Sequence, residues 1–294
     1  MFKNRNMKTI LEHIGNTPLV KIESKESGGK VNIFAKIEGM NPGGSIKDRI
    51  VFNMITDAES RGVLKKGDTI VEPTSGNTGV AIAMIGAMKG YKVKLVMPKT
   101  TSPDKIKMIT AFGGGIILIE NDKFGKIAIE KIKERVKENE NLVFLNQYEN
   151  KMNPQAHYVK TAEEIIEQMQ GENIDFFVAG MGTGGTITGI GTKLKEKYPK
   201  IKIIGVEPKE GEIIEGLRSL KAFVPAVANL NIVDEVVDLE AEKAFEARKD
   251  LAINKGILAG PSSGAAFYVV REVAKKNPGA TIVTIFPDRG ERYL

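Results

Sequence analysis

Short runs of β-branched residues alternate along this chain with longer runs of helical spacing, and that alternation leaves few architectures open. Val31 to Ile37, Asp68 to Val71, Lys92 to Met97, Ile116 to Ile119, Leu142 to Leu145, Phe176 to Ala179, Lys202 to Val206 and Thr281 to Phe286 read as strands. Between them lie helical runs, including one ending at Arg61, Val80 to Lys89, Lys123 to Glu140, Pro154 to Met169, Thr186 to Lys197, Ala241 to Asn254 and Ser263 to Lys275. Strands that alternate with helices of this length argue for an α/β fold with parallel-type sheets, right-handed crossovers and flanking helices. Glu207 to Val233 is the one less regular stretch, and no internal repeat interrupts the pattern.

A chain of 294 residues is long enough for two lobes or one large domain. Its 43 basic and 37 acidic residues give a net charge of +6, with the lysines scattered along the chain. Scattered charge confers solubility and a mild attraction for anions, not a nucleic-acid footprint. Aromatics make up 6% and tryptophan is absent, so base-stacking platforms are not expected either. With no cysteine there is no disulfide, thiol nucleophile or thiolate metal site. Two histidines, His13 and His157, are too few for a zinc site or a serine-histidine triad, and both are expected to be structural. No metal is expected. The opening MFKNRNMKTI lacks the apolar core of a signal peptide, and the longest apolar run, Val80 to Met88, is far short of a membrane span. A cytoplasmic protein without membrane contact is the expectation.

Four motifs carry chemistry. In Asn41 to Arg49, NPGGSIKDR, a Pro-Gly-Gly turn leads into an amphipathic helix. Ser45 with Asp48 fits a capping box, so the helix is expected to begin near Ser45. Lys47 then feels the positive end of the dipole, which disfavours its ammonium form, and a neutral amine can form a Schiff base. Glu72 to Thr78, EPTSGNT, sets Thr74, Ser75, Asn77 and Thr78 between a strand end and a helix start, a setting suited to a carboxylate. Gly180 to Thr186, GMGTGGT, offers close backbone approach and helix N-terminal amides to a phosphate. Gly260 to Gly264, GPSSG, places two hydroxyls at a helix start. An aldehyde-binding lysine, a carboxylate loop, a phosphate cradle and a ring-nitrogen partner together meet the needs of a pyridoxal phosphate enzyme. A rival reading survives at this stage: Gly180, Gly182 and Gly185 match a dinucleotide fingerprint and Glu207 stands where a ribose-binding acid belongs, which implies a nicotinamide-dependent oxidoreductase.

Over nearly its whole length the chain resembles the cysteine synthases, or O-acetylserine sulfhydrylases, of the tryptophan-synthase-like β-family. IGNTPLV at Ile14 to Val20, NPGGSIKDR, EPTSGNTG, GTGGTITG at Gly182 to Gly189, GPSSGAA and the terminal GERYL carry the likeness. The resemblance implies a two-lobed fold type II enzyme: a smaller mobile lobe over 41–145, and a larger lobe formed by 1–40 and 146–294. It implies pyridoxal 5'-phosphate bonded to Lys47, with Asn77 at the ring hydroxyl and Gly182, Thr183, Gly184, Gly185 and Thr186 around the phosphate. Ser262, ahead of Ser263, matches the ring-nitrogen partner. Thr74, Ser75, Asn77, Thr78 and Gln147 match the residues around the substrate carboxylate. The implied partners are an amino-acid substrate and a sulfur nucleophile, within a homodimer.

The chain departs from the A-type pattern in three places. Gly216-Leu217-Arg218 with Val224-Pro225 looks like the B-type and phosphoserine-using branch, which makes Arg218 the candidate for an anionic substituent or sulfur donor. Pro261 replaces the usual aliphatic residue, and the chain ends at Leu294, short of the family's usual tail. Acetylserine, phosphoserine, sulfide and thiosulfate stay open as substrates. A cysteine-consuming relative that releases hydrogen sulfide and forms serine, lanthionine or cystathionine stays open too, as does an idle partner subunit.

Overall fold

A computed structural model of the chain describes residues 9–23, 28, 30–121, 125–221 and 223–294. The signal-peptide reading of residues 1–8 and the start of the helix expected at Lys123 lie outside them. Two compact units emerge.

The first unit takes residues 9–15 and 41–146. Residues 9–15, expected with the larger lobe, group here, and the Gly15 N–H donates to Asn41 Oδ1 at 2.9 Å. The unit contains β3 (Thr69–Pro73), β4 (Lys92–Pro98), β5 (Gly115–Ile119) and β6 (Leu142–Phe144), paired in the order β5-β4-β3-β6. Every pairing is parallel. Helix α1 (Lys47–Ser60) precedes β3, and α2 (Asn77–Lys89), α3 (Pro103–Ala111) and α4 (Lys126–Glu138) connect the four strands in turn. In α1 the residues recurring at helical spacing, Ile50, Val51, Met54, Ile55 and Ala58, are all buried. Fully burying one such large apolar side chain contributes roughly 1.5–3 kcal/mol. Helix α2 is apolar on every side and buried from Thr78 through Gly86, as suits a helix inside a domain.

The second unit takes Asn16–Met40 and Gln147–Leu294. Its strands are β1 (Leu19–Ile22), β2 (Asn32–Ile37), β7 (Phe176–Gly180), β8 (Lys202–Pro208), β9 (Glu235–Leu239) and β10 (Thr281–Phe286). They pair in the order β1-β2-β10-β7-β8-β9, parallel except for β1 against β2. Strand β10 lies in mid-sheet and is buried at every position, which explains its unbroken TIVTIF run. Strand β9 is not expected from the sequence. It is an exposed edge with the pattern EVVDL, too charged and too short to stand out by periodicity. The helix expected over Pro154 to Met169 forms as α5 (Met152–Ala156), a π-helical turn at His157–Thr161 and α6 (Ala162–Gln168). It is followed by α7 (Gly185–Lys197), α8 (Ala241–Lys255) and α9 (Pro261–Lys276). Among the described residues no helix is long and apolar enough to cross a membrane.

Candidate active site

The site residues fall into two sets, one in each unit. In the first unit Lys47 is the first residue of α1 and is half-buried. The expected capping box does not form, and the helix starts two residues later than Ser45. The Asp48 carboxylate reaches past Ser45 and accepts the Gly43 N–H at 2.5 Å, while Ser45 Oγ accepts the Lys47 N–H at 3.3 Å. A Cβ added at Gly43 would lie 2.5 Å from Asp48 Oδ1, so the turn carrying Lys47 tolerates no side chain there.

The EPTSGNT loop is also tighter than its sequence suggests. Helix α2 begins at Asn77, three residues before the expected start, which puts Asn77 and Thr78 in its first turn among amides that have no intrahelical acceptor. Thr74 is 5% exposed, its Oγ1 accepts the Gly76 N–H at 3.3 Å, and its own N–H donates to the Val96 carbonyl. Ser75 is exposed. Glu72, to which the sequence reading gave no role in this unit, is fully buried at the end of β3 and accepts the Asn146 N–H at 3.0 Å. Asn146 adopts φ +54°, a left-handed turn immediately before Gln147.

In the second unit the glycine loop runs from the end of β7 into α7, with Gly184 at φ +80° as the N-cap. A Cβ at Gly184 would also strike Ala228 Cβ at 2.5 Å, so position and conformation both require glycine. Asn153 organises the loop: its Nδ2 donates to the Gln147 carbonyl at 2.8 Å and to Thr183 Oγ1 at 3.2 Å. A Cβ at Gly185 would sit 2.1 Å from Asn153 Oδ1. His157 is buried and structural in its contacts, with Nδ1 3.0 Å from Thr161 Oγ1 and Nε2 3.2 Å from Thr186 Oγ1. Its link to Thr186 spans 29 residues, and no local pattern announces it.

Residues 216–221 and 223–228 wrap this loop. The Arg218 N–H donates to the Met181 carbonyl at 2.9 Å, and a Cβ at Gly182 would meet the Gly216 carbonyl at 2.6 Å. Arg218 Nη2 donates to Tyr148 Oη at 2.8 Å, and the guanidinium carbon lies 4.9 Å from the centre of the Tyr148 ring. A Cβ at Gly216 would be 3.5 Å from Ser262 Oγ, so this strap lies beside the start of α9. Ser263 is fully buried, and its Oγ has no hydrogen-bond partner among the described residues. The second unit thus brings together Gln147, Thr183 to Thr186, Arg218 and Ser262, whereas Lys47, Thr74, Ser75, Asn77 and Thr78 belong to the first.

The donor set fits a pyridoxal phosphate. First-turn amides of α7 without intrahelical acceptors, the positive end of its dipole, and the Thr183 and Thr186 hydroxyls suit a phosphate, and no carboxylate stands in Gly182 to Thr186. The family model described as "Pyridoxal-phosphate dependent enzyme" matches residues 10–288, so fold and site define an enzyme dependent on that cofactor. Among curated relatives, a "Cysteine synthase" of Staphylococcus aureus (strain Mu50 / ATCC 700699) is 42% identical over 294 residues, covering 97% of this chain and 94% of its own. "Cysteine synthase B" of Escherichia coli (strain K12) is 42% identical over 289 residues, covering 98% and 95%. A solved structure of a hydrogen sulfide-producing enzyme from Fusobacterium nucleatum matches with a TM-score of 0.92 at 40% identity, covering 98% of this chain and 100% of that one. The chain belongs to the cysteine synthase family of pyridoxal-phosphate dependent enzymes.

The dinucleotide alternative is thereby overturned, and the geometry shows why its fingerprint misleads. Glu207 is 1% exposed, and its carboxylate accepts the Leu220 N–H at 2.7 Å and the Ser219 hydroxyl at 3.3 Å. It anchors the strap that carries Arg218 and does not face a ribose.

Proposed function

We propose that the chain makes L-cysteine by β-replacement, joining an activated serine, O-acetylserine or O-phosphoserine, to sulfide; with thiosulfate as the donor the same replacement gives S-sulfocysteine, which a separate thiol reductant must cleave to cysteine. The observation that carries this reading is the strap: Arg218 is tied through its backbone to Met181 and through its side chain to Tyr148, the neighbour of Gln147. A permanently charged, pre-positioned guanidinium next to a residue for the substrate carboxylate suits a substrate or donor with a second anionic group. The named activities of the two curated relatives support cysteine as the product.

Bound pyridoxal phosphate supplies an electron-withdrawing ring that acidifies the α-proton of the substrate. Lys47 removes that proton as general base and later returns it, and its place on the first turn of a packed helix limits the volume its amine can sample. Thr74, Ser75, Asn77, Thr78 and Gln147 orient the substrate carboxylate, with Asn77 also at the ring hydroxyl. Gly182, Thr183, Gly184, Gly185 and Thr186 hold the phosphate. Ser262 is a neutral partner for the ring nitrogen. Unlike a carboxylate it does not keep that nitrogen protonated, which favours loss and replacement of the β-substituent over chemistry that needs a long-lived carbanion. We also propose that the protein is a cytoplasmic homodimer and that the lobe over 41–145 is the mobile one.

A second reading, a cysteine-consuming and sulfide-releasing enzyme, draws its support from the likeness to the Fusobacterium nucleatum structure. The two are separated by initial rates of cysteine formation from each activated serine with sulfide, measured beside sulfide release from cysteine. Faster formation supports the first reading. Sulfide release that exceeds formation from both serines at equal concentrations overturns it.

A further inference from the structure

The first unit carries a cavity that the proposed chemistry does not use. Its volume is about 460 Å3, and it lies between the sheet and α4. The register that sets Val96 opposite Ile117 puts both on one face of the sheet, with Ile119 two residues further along β5 on the same side. Helix α4 packs against β6 and β3, so on this face β4 and β5 line a hollow instead of a contact. Parallel sheets bury both faces as a rule, and an uncovered apolar stretch on one face of β4 and the edge strand β5 calls for an occupant.

The helix side states what kind. Ile127, Lys131 and Arg135 recur at four-residue spacing and form one row of α4 along the cavity, next to buried Ala128 and Ile132. Lys94, two residues before Val96 on β4, adds a third cation. All three cations are exposed, none forms an ion pair among the described residues, and no acidic side chain lines the cavity. The volume falls within the range of roughly 300–1,000 Å3 typical of small-molecule sites, which are mostly apolar with a few convergent polar groups.

We propose that this cavity binds an amphipathic monocarboxylate, with its apolar body against Val96, Ile117 and Ile119 and its carboxylate at the rim formed by Lys94, Lys131 and Arg135. A fatty acid of medium chain length and an aryl carboxylate share that chemistry. A polyanion without an apolar body does not fit the lining, and an uncharged hydrocarbon leaves three like charges unneutralised.

Titration calorimetry on the purified holoenzyme tests the site with sodium decanoate, kept below its micelle concentration, and with 2-naphthoate. Saturable binding of one molecule per chain is expected for at least one of them, and the tighter of the two identifies the source. Decanol should bind about tenfold more weakly than decanoate, because the charged rim then contributes nothing. Arg135→Glu should weaken the carboxylate about tenfold without moving the melting temperature, since the side chain is exposed. Val96→Phe should fill the hollow and abolish binding. Absence of saturable binding to the wild type, or binding indifferent to both substitutions, overturns the proposal. So does an oligomer that Ile117→Lys splits while neither carboxylate binds, because the face is then covered by a second copy of the chain.

Discussion

Replacing Arg218 by alanine probes substrate charge with little disturbance of the fold, because the residue is half-buried and its backbone bond to Met181 survives. In the wild type the guanidinium is already restrained by Tyr148, through a 2.8 Å hydrogen bond and a ring contact at 4.9 Å. An unrestrained arginine forfeits up to about 2 kcal/mol of rotamer entropy when it binds an anion, and the tyrosine reduces that cost in advance. A hydrogen bond to a charged group contributes roughly 1.5–3 kcal/mol. The kcat/KM for phosphoserine with sulfide should therefore fall by about ten- to a hundredfold in Arg218→Ala, while that for acetylserine with sulfide stays near the wild-type value. Tyr148→Phe keeps the ring contact and loses the hydrogen bond, so its loss should be intermediate and confined to the anionic substrate. Both substrates are assayed on one preparation, with rates normalised to bound cofactor. Equal losses for both substrates, or no loss for either, would refute the argument that Arg218 selects charge.

Three further outcomes are expected. Ser262→Ala should retain the cofactor and lose activity, whereas Ser263→Ala removes a buried hydroxyl that has no partner among the described residues and should leave activity and melting temperature nearly unchanged; a larger kinetic effect at Ser263 reverses the assignment. Gly185→Ala drives a Cβ into Asn153, so pyridoxal phosphate affinity in a fluorescence titration should fall by at least about tenfold, and unchanged affinity contradicts the cradle. Asp234 joins β8 to β9: burial alone raises its pKa, but the Ile203 N–H and Lys195 outweigh that and hold the carboxyl below its ordinary value. A depressed folded-state pKa means its stabilisation is full above the unfolded value and vanishes as pH falls through the folded one. Asp234→Asn should thus destabilise the protein by about 1 kcal/mol near neutral pH, after allowance for solvent exposure, and by nothing in strong acid; denaturant melts with the same deficit at both pH values exclude this origin.

Much of this architecture is written locally. The run after Asn41 shows both its turn and the buried stripe of α1, because each is set by neighbours within four residues. The start of α1 is not legible in the same way. Ser45 and Asp48 satisfy the capping pattern, yet the Asp48 carboxylate finds the Gly43 amide, a competition that only the folded turn decides. The start of α2 at Asn77 is not legible either, because its polar first turn carries no apolar periodicity. Strand β9 hides because an edge strand does not need two apolar faces. The tie between Arg218 and Tyr148 spans 70 residues, that between Asn153 and Thr183 spans 30, and that between Glu72 and Asn146 spans 74. No spacing rule reaches so far. The dinucleotide fingerprint was met by Gly180, Gly182 and Gly185 for a related physical reason, since any strand-loop-helix that brings backbone close to a phosphate selects small residues.

Every role proposed for the site depends first on Lys47 as the residue bonded to the cofactor. Borohydride reduction of the purified holoenzyme, followed by peptide mapping, tests this directly. The reduced phosphopyridoxyl group should appear on the peptide containing Lys47, and Lys47→Ala should lose both the visible absorbance band and turnover. A label on any other lysine, or a Lys47→Ala protein that keeps its band and its activity, would contradict it.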